Sequence, residues 1–259
     1  MAIEIPLSFS PEDTACALAV APGYFSGISL AKAGDMAMSR RHEIPDRARF
    51  LGSLGMPPEG VVGIHQVHSR TVTIVDGQQP VSLASTEADG LITLRSDVLL
   101  TITVADCLPI FLVDQTSGAF GIVHSGWKGT GIVLDALDAM GRAFGTRPGD
   151  VVSVLGPGIG QCCYTVPKER YERFRIEYGD HAVARGVQGE YRLDLRAANV
   201  RLMESVGVQR ISVISDCTCC SPALGSFRRE GQGFRRMLAF IGRGHIPYRR
   251  PEGLKGESS

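Results

Sequence analysis

Residues Leu99 to Gly131, LLTITVADCLPIFLVDQTSGAFGIVHSGWKGTG, constrain this chain more than any other stretch. They hold two apolar runs, each with the length and composition of a buried strand. The first run carries Cys107 just after Asp106. The second ends on His124 and opens into the turn Ser125-Gly126-Trp127-Lys128-Gly129. Beyond the turn, Ile132, Val133, Leu137, Met140 and Phe144 recur at close to a helical period, and Gly145 stops the pattern. Strand, glycine-rich turn and helix in this order make an anion site. Backbone N–H groups at Gly126 to Gly129 would face a phosphate, with Lys128 beside them.

The surrounding sequence reads as α/β. Gly60 to Val75 is β-rich with a polar break at His68-Ser69-Arg70, and Glu87 to Ile92 reads as a turn entering a strand. Val151 to Val166 is a strand followed by a Gly/Pro loop, Ile211 to Ile214 is a strand, and Met237 to Ile241 is a further apolar run. Helices are expected within Asp35 to Leu54, with Pro45 in the first turn, over Pro167 to Gly179, and over Arg196 to Val206 with Gly207 after its end. Strands and helices run through the whole length without a linker or repeat. The expectation is one α/β (α+β) domain over residues 1–259.

Composition closes off several function classes. Lys+Arg and Asp+Glu balance at 27 each, so no overall field attracts nucleic acid or an anionic membrane. The most apolar stretch, Val98 to Val113, is interrupted by Thr101, Thr103, Asp106 and Pro109 and is too short to span a bilayer. No basic segment followed by an apolar core opens the chain, which points to the cytoplasm. The seven cysteines are odd in number and include adjacent pairs, a poor disulfide framework that fits a reducing compartment. Arg40, Arg41, Arg47 and Arg49 read as a solvated helix face. Arg228 to Lys255 carries eight Lys/Arg against two Glu, suiting an anion site or, beyond Pro247, a solvated tail.

A thiol and an imidazole at strand ends serve either of two chemistries. Cys107, His124 and one more histidine make a three-ligand zinc site, with a fourth position open to water or substrate. His65 and His68 are both available. On a regular strand their odd separation puts them on opposite faces, so at most one joins the site. Alternatively, Cys107 is a nucleophile, His124 its base, and Asp106 or Asp114 the orienting carboxylate. A rival metal group of Cys217, Cys219 and Cys220, with Cys162 or Cys163, is disfavoured. Adjacent cysteines rarely bind one ion together, and no second pair has zinc-finger spacing, so packed thiols are expected there. Trp127, the only tryptophan, is either a base-stacking surface or core.

A series of motifs resembles one family. They are Gln66-Val67-His68, Ala88-Asp89-Gly90, Ala105 to Ile110 and His124 to Gly129, then Gly156-Pro157 through Cys162-Cys163-Tyr164. Asp194-Leu195 with Ala198-Asn199, Cys217-Thr218 and Ser226-Phe227-Arg228-Arg229 complete the order over residues 60–241. The chain resembles the laccase-domain, or multicopper polyphenol oxidase-like, proteins that are now regarded as purine nucleoside phosphorylases, relatives of which are linked to peptidoglycan editing. The resemblance implies mixed β-sheets sandwiched together and flanked by helices, and a Zn²⁺ site of His68, Cys107 and His124, with Cu²⁺ as the other metal associated with the family. It implies phosphorolysis of adenosine, inosine and S-methyl-5′-thioadenosine, and hydrolytic deamination of adenosine. The partners are then a nucleoside and phosphate. The phosphate would lie near Gly126, Lys128 and Gly129, neutralised by Lys128, Arg228 or Arg229. Cys107, His124, Lys128 and Arg228 become the catalytic candidates.

The His-x-His pairs of a trinuclear copper cluster are missing. Thr165 stands where the family usually has an acidic residue after Cys-Cys-Tyr, and Arg-Arg-Glu-Gly-Gln-Gly-Phe-Arg-Arg replaces the usual Arg-Arg-Asp-Gly and Thr-Gly-Arg. Two readings of other classes remain: a Cys/His hydrolase acting on peptidoglycan precursors, and a non-catalytic metal-binding domain.

Overall fold

The computed structural model describes residues 2–38, 44–77 and 83–244. Its strands, in chain order, are β1 (Ile3–Ile5), β2 (Ala15–Ala17), β3 (Tyr24–Ser29), β4 (Val61–His65), β5 (Val72–Val75), β6 (Leu83–Glu87), β7 (Gly90–Thr93) and β8 (Leu99–Val104). They continue as β9 (Leu108–Asp114), β10 (Phe120–Ser125), β11 (Val151–Leu155), β12 (Thr165–Val166), β13 (Val183–Arg185), β14 (Tyr191–Leu193), β15 (Arg210–Ile214) and β16 (Met237–Arg243). The α-helices are α1 (Pro45–Ser53), α2 (Ile132–Phe144), α3 (Lys168–Tyr178), α4 (Leu195–Ser205) and the single turn α5 (Phe227–Glu230).

Two large mixed sheets dominate. One has the order β1-β15-β11-β9-β10-β7-β5, the other β2-β3-β16-β8-β4-β6, and β12-β14-β13 form a small third sheet. The period-2 alternation of side chains explains how they stack. Along β9, Phe111 and Val113 join Phe120 and Ile122 of β10 and Leu100, Ile102 and Val104 of β8 in a core between the two large sheets. Leu108, Ile110 and Leu112, on the other face of β9, pack with α2, α3 and α4 through residues such as Val133, Met140, Phe174 and Met203. On the outer face of the second sheet, Leu99, Leu238 and Phe240 pack against Phe50 and Leu54 of the α1 region. The architecture is the expected one, a sandwich of mixed sheets flanked by helices.

The first apolar run differs from the expectation of one strand. It is two, β8 and β9, and they belong to different sheets. The break is Ala105-Asp106-Cys107, where Asp106 takes φ +81°. A continuous strand would have kept both halves in one sheet. The positive φ turns the chain across the sandwich and leaves Cys107 at the crossing.

The arginine face of α1 is also revised. Arg47 is no solvated residue: its guanidinium donates to Met36 O and Thr101 Oγ1, both at 3.1 Å. Burial lowers its pKa to about 10. Arg49 is exposed and pairs with Asp46, while Arg40, Arg41 and the tail beyond Pro247 lie outside the described residues.

Phe111 is wholly buried between the sheets. Phe111→Ala should destabilise the protein by about 3–5 kcal/mol, seen as a lower urea midpoint. Ile176→Ala, at a side chain 80% exposed on α3, should stay within about 0.5 kcal/mol of the parent.

Candidate active site and metal centre

The sandwich delivers three side chains of metal-ligating type to one point. Cys107 comes from the crossing between β8 and β9, His124 from β10, and His68 from the loop after β4. Their ligand atoms all lie within 4.8 Å of one another. The rings of His68 and His124 meet edge to face with centroids 4.9 Å apart. His65 ends β4 and is not part of this group.

Asp89, between β6 and β7, builds the centre. Its fully buried carboxylate faces His124 Nδ1 at 2.8 Å. The same carboxylate accepts from the backbone N–H groups of Val67, His68 and Ser69 at 3.2, 3.0 and 2.6 Å and from Ser69 Oγ at 2.8 Å. Three consecutive N–H groups converge on one carboxylate only if the loop curls around it. His68 accordingly takes φ +60°, and His68 and Asp106 are the only non-glycine residues with positive φ among the described residues. Backbone strain of this kind persists where surrounding contacts fix it, and here one case is His68 itself and the other immediately precedes Cys107.

The electrostatics follow from burial and pairing. Burial would raise the pKa of Asp89, but hydrogen bonds from His124 and Ser69 outweigh it and hold the carboxyl near 2. Burial would lower that of His124, but Cys107 and Asp89 raise it to about 9. Burial would raise the Cys107 thiol, yet His124 and His68 bring it down to about 6. With Asp89 ionised, one proton of His124 is held at Nδ1, so Nε2 is the nitrogen that would ligate once it gives up its own proton. Two imidazoles and a thiolate, backed by a carboxylate behind one imidazole, fit a three-ligand zinc-class site. The same pairing also suits a thiolate–imidazolium nucleophile.

Several sequence expectations are corrected here. Neither Asp106 nor Asp114 orients His124. Asp106 accepts from Thr218 Oγ1 and Arg228 N, at 2.6 and 2.7 Å, and Asp114 caps its own turn through Thr116 and Ser117. Gly126 and Gly129 do not form the first turn of α2, which begins at Ile132. They are glycines because the ligand loops press against them: a Cβ on Gly126 would lie 2.7 Å from Cys107 Sγ, and one on Gly129 2.8 Å from Ser69 O. The start of α2 is met by a cation instead, since Arg70 reaches Gly131 O and Asp135. Arg229 is not free for phosphate either. Its guanidinium is spent on the carbonyls of Thr218, Cys219, Ser221 and Leu224 and on Glu230.

A cavity of about 590 Å³ opens over the three ligands. Gln66, Trp127, Ile159, Tyr164, Phe227 and Phe234 line it, together with Lys128, Arg170, Arg228 and Arg236. Trp127 packs partly on the helix-side core and offers its ring to the Arg170 guanidinium, 4.3 Å from the centroid, with Lys128 at 5.8 Å. Arg228 donates to the carbonyls of Cys163 and Thr165 at 2.8 and 3.0 Å, and Arg236 pairs with Asp35. Arg170 was hidden in the sequence because α3 reads as an ordinary charged helix. Asp89 carried a signal only as part of the motif Ala88-Asp89-Gly90.

With this geometry in view, the similarity to known proteins is specific. The profile of the family described as multi-copper polyphenol oxidoreductase laccase matches residues 28–244. The chain belongs to this family. A purine nucleoside phosphorylase YlmD of Geobacillus stearothermophilus is 34% identical over 218 residues, covering 79% of this chain and 80% of that protein. A purine nucleoside phosphorylase of Deinococcus radiodurans is 33% identical over 241 residues, covering 92% and 89%. The crystal structure of YlmD from Geobacillus stearothermophilus superposes with a TM-score of 0.82 at 29% identity, covering 92% of this chain and 98% of that one.

Asp89→Asn should weaken metal binding at His68, Cys107 and His124 by about 10–100-fold in a chelator competition. In the metal-free protein, a carboxyl near 2 rather than its ordinary 3.8 contributes about 2 kcal/mol of stability. This contribution is present above about pH 4 and is lost as the pH falls through 2. Urea midpoints measured against pH should show that acid limb in the parent and a flatter one in Asp89→Asn.

Proposed function

We propose that this protein is a zinc-dependent purine nucleoside phosphorylase. In this reading it cleaves adenosine, inosine and S-methyl-5′-thioadenosine with phosphate, and also deaminates adenosine. The observation that carries the proposal is the lining of the cavity: aromatic rings interleaved with cations, beside two imidazoles and a thiol. Its volume is in the range of about 300–1,000 Å³ usual for small-molecule sites. The names of the relatives point the same way.

In this reading His68, Cys107 and His124 hold the ion, which when bound would supply Lewis acidity at an open coordination position. Lys128 and Arg170 hold the phosphate. Both line the cavity, and neither has a carboxylate partner among the described residues. Arg228 adds positive charge while its two carbonyl contacts fix the wall that carries Tyr164. Phosphorolysis forms a bond from a phosphate oxygen to C1′ and breaks the C1′–N9 bond, whose electron pair leaves with the purine. The work asked of the protein is to seat the phosphate in line and to exclude competing water. Tyr164, Phe227 and Phe234 offer apolar and aromatic surface to the base.

A second reading has one observation of its own. Asp89, His124 and Cys107 stand in the order of a carboxylate–imidazole–thiol triad, as a cysteine hydrolase acting on cell-wall precursors would need. His68 weighs against it, because a nucleophile–base pair has no use for a second imidazole at the sulfur.

Product chromatography separates the readings. Free purine base should form from inosine and S-methyl-5′-thioadenosine only when phosphate is present, and not with Cys107→Ala, which should also hold one metal equivalent fewer per chain. Inosine formed from adenosine without phosphate would report the deaminase. No product from any nucleoside, with Cys107 alkylated as fast in zinc-loaded as in metal-free protein, would overturn the proposal in favour of the hydrolase. Arg170→Ala should raise the KM for phosphate about tenfold, the scale of losing one charge-assisted contact of about 1.4 kcal/mol, with a smaller effect on deamination.

A further inference from the structure

We propose that Cys162, Cys163, Cys217 and Cys220 form a second metal site, a tetrathiolate that holds one divalent cation of the zinc class. From spacing, a metal group of these cysteines is disfavoured in favour of packed thiols, because adjacent thiols rarely serve one ion. The fold removes that objection by bringing together two loops that leave the same end of the seven-stranded sheet, after two neighbouring parallel strands. One follows β11 and the other follows β15. All four sulfurs lie within 4.8 Å of one another. Cys163 Sγ is 3.4 Å and Cys162 Sγ 3.7 Å from Cys220 Sγ. Four sulfurs around zinc at about 2.3 Å in a tetrahedron stand about 3.8 Å apart. The cluster therefore has nearly the separations of a filled site, whereas a disulfide bond needs sulfurs at about 2.05 Å, and all four cysteines are free thiols.

Local backbone geometry favours a thiolate at Cys217. Cys217 and Cys220 sit on one tight turn, in which Cys220 N and Ser221 N donate to Cys217 O at 3.1 and 3.0 Å. Gly160 N donates to Cys217 Sγ at 3.1 Å, and the N–H groups of Cys219 and Cys220 are also directed at that sulfur. Backbone donors aimed at sulfur stabilise its charged form. On the other loop, Cys163 N and Tyr164 N both donate to Gly160 O, each at 3.0 Å, which folds the adjacent cysteines around one centre. Gly160 itself is pressed between the loops: a Cβ there would lie 3.0 Å from Cys162 Sγ and 3.2 Å from Cys217 Cβ.

Charge is balanced as well. Four thiolates around a divalent ion carry two net negative charges, formed when each cysteine releases one proton with no change of oxidation state. Arg196 is held beside Cys217 and Cys162. Its terminal nitrogens go to the carbonyls of Gly158, Ser215 and Asp216, while its buried Nε has no partner among the described residues. Arg229 cages the carbonyls of Thr218, Cys219 and Ser221, and Arg228 that of Cys163. A cation here would tie together the two loops that present Tyr164 and Arg228 to the cavity. It lies apart from His68, Cys107 and His124, and the inference stands whether or not those three bind metal.

The full-length protein carrying Cys107→Ser and His124→Ala, purified with zinc and a thiol reductant, should retain one zinc per chain by elemental analysis. Cys219→Ser added to it should keep that zinc, and Cys217→Ser with Cys220→Ser should lose it. The unaltered protein serves as a check independent of any variant's folding. Reconstituted with Co²⁺, it should show tetrahedral d–d bands and thiolate-to-metal charge transfer of a four-sulfur site. Absence of the four-sulfur spectrum would overturn the proposal. So would zinc retained without Cys217 and Cys220, or a Cys163–Cys220 disulfide found by mass spectrometry in protein that takes up no metal.

Discussion

The arrangement of the candidate active site depends on one buried carboxylate. Asp89 is fully buried, and an unpaired charge in such a place would cost several kcal/mol. It is satisfied by five donors, four of them from the loop Val67 to Ser69 and one from His124. That satisfaction has three structural consequences. The loop is bent until His68 has a positive φ, one His124 proton is fixed at Nδ1, and the free edges of both imidazoles are turned toward Cys107. Without Asp89 the three ligands would still be close in space, but nothing would orient them.

The sandwich supplies the remaining constraint. Cys107 is the residue at which the chain leaves one sheet for the other, and Asp106 before it is tied to Thr218 and to the backbone of Arg228. The crossing thus links the ligand set to the loop after β15. The same loop holds Cys217 and Cys220, and through Arg228 it touches Cys163 on the loop after β11. The cavity is therefore walled on one side by loops held together by guanidinium–carbonyl contacts and clustered thiols, and its floor is His124 from a strand with His68 and Cys107 from the strand ends beside it.

Glycines in the turn after β10 show how similar sequence signals can serve different physical ends. A glycine-rich turn before a helix is a reasonable phosphate cradle by sequence. Here Gly126 and Gly129 are instead the places where Cys107 and Ser69 approach the turn too closely for a side chain. Positive charge available to an anion comes from Lys128 and from Arg170 on α3, which both lie over the Trp127 ring, while the helix start faces Arg70.

By itself the sequence determined the α/β class and most helices and strands, and it singled out Cys107, His124 and, through the resemblance carried by Gln66-Val67-His68, His68 as candidates that the fold brings together. These were legible because periodicity, turn residues and short motifs act over a few residues. The tertiary structure alone decided that the apolar run after Leu99 is split between two sheets and that Asp89, not Asp106 or Asp114, backs His124. It also decided that Arg229 is caged while Arg170 faces the cavity, and that four cysteines from two distant loops share one centre. Each of these depends on which groups lie side by side after residues tens of positions apart have packed. Spacing along a chain carries no measure of that distance, and only burial and hydrogen bonding in the folded sandwich fix it.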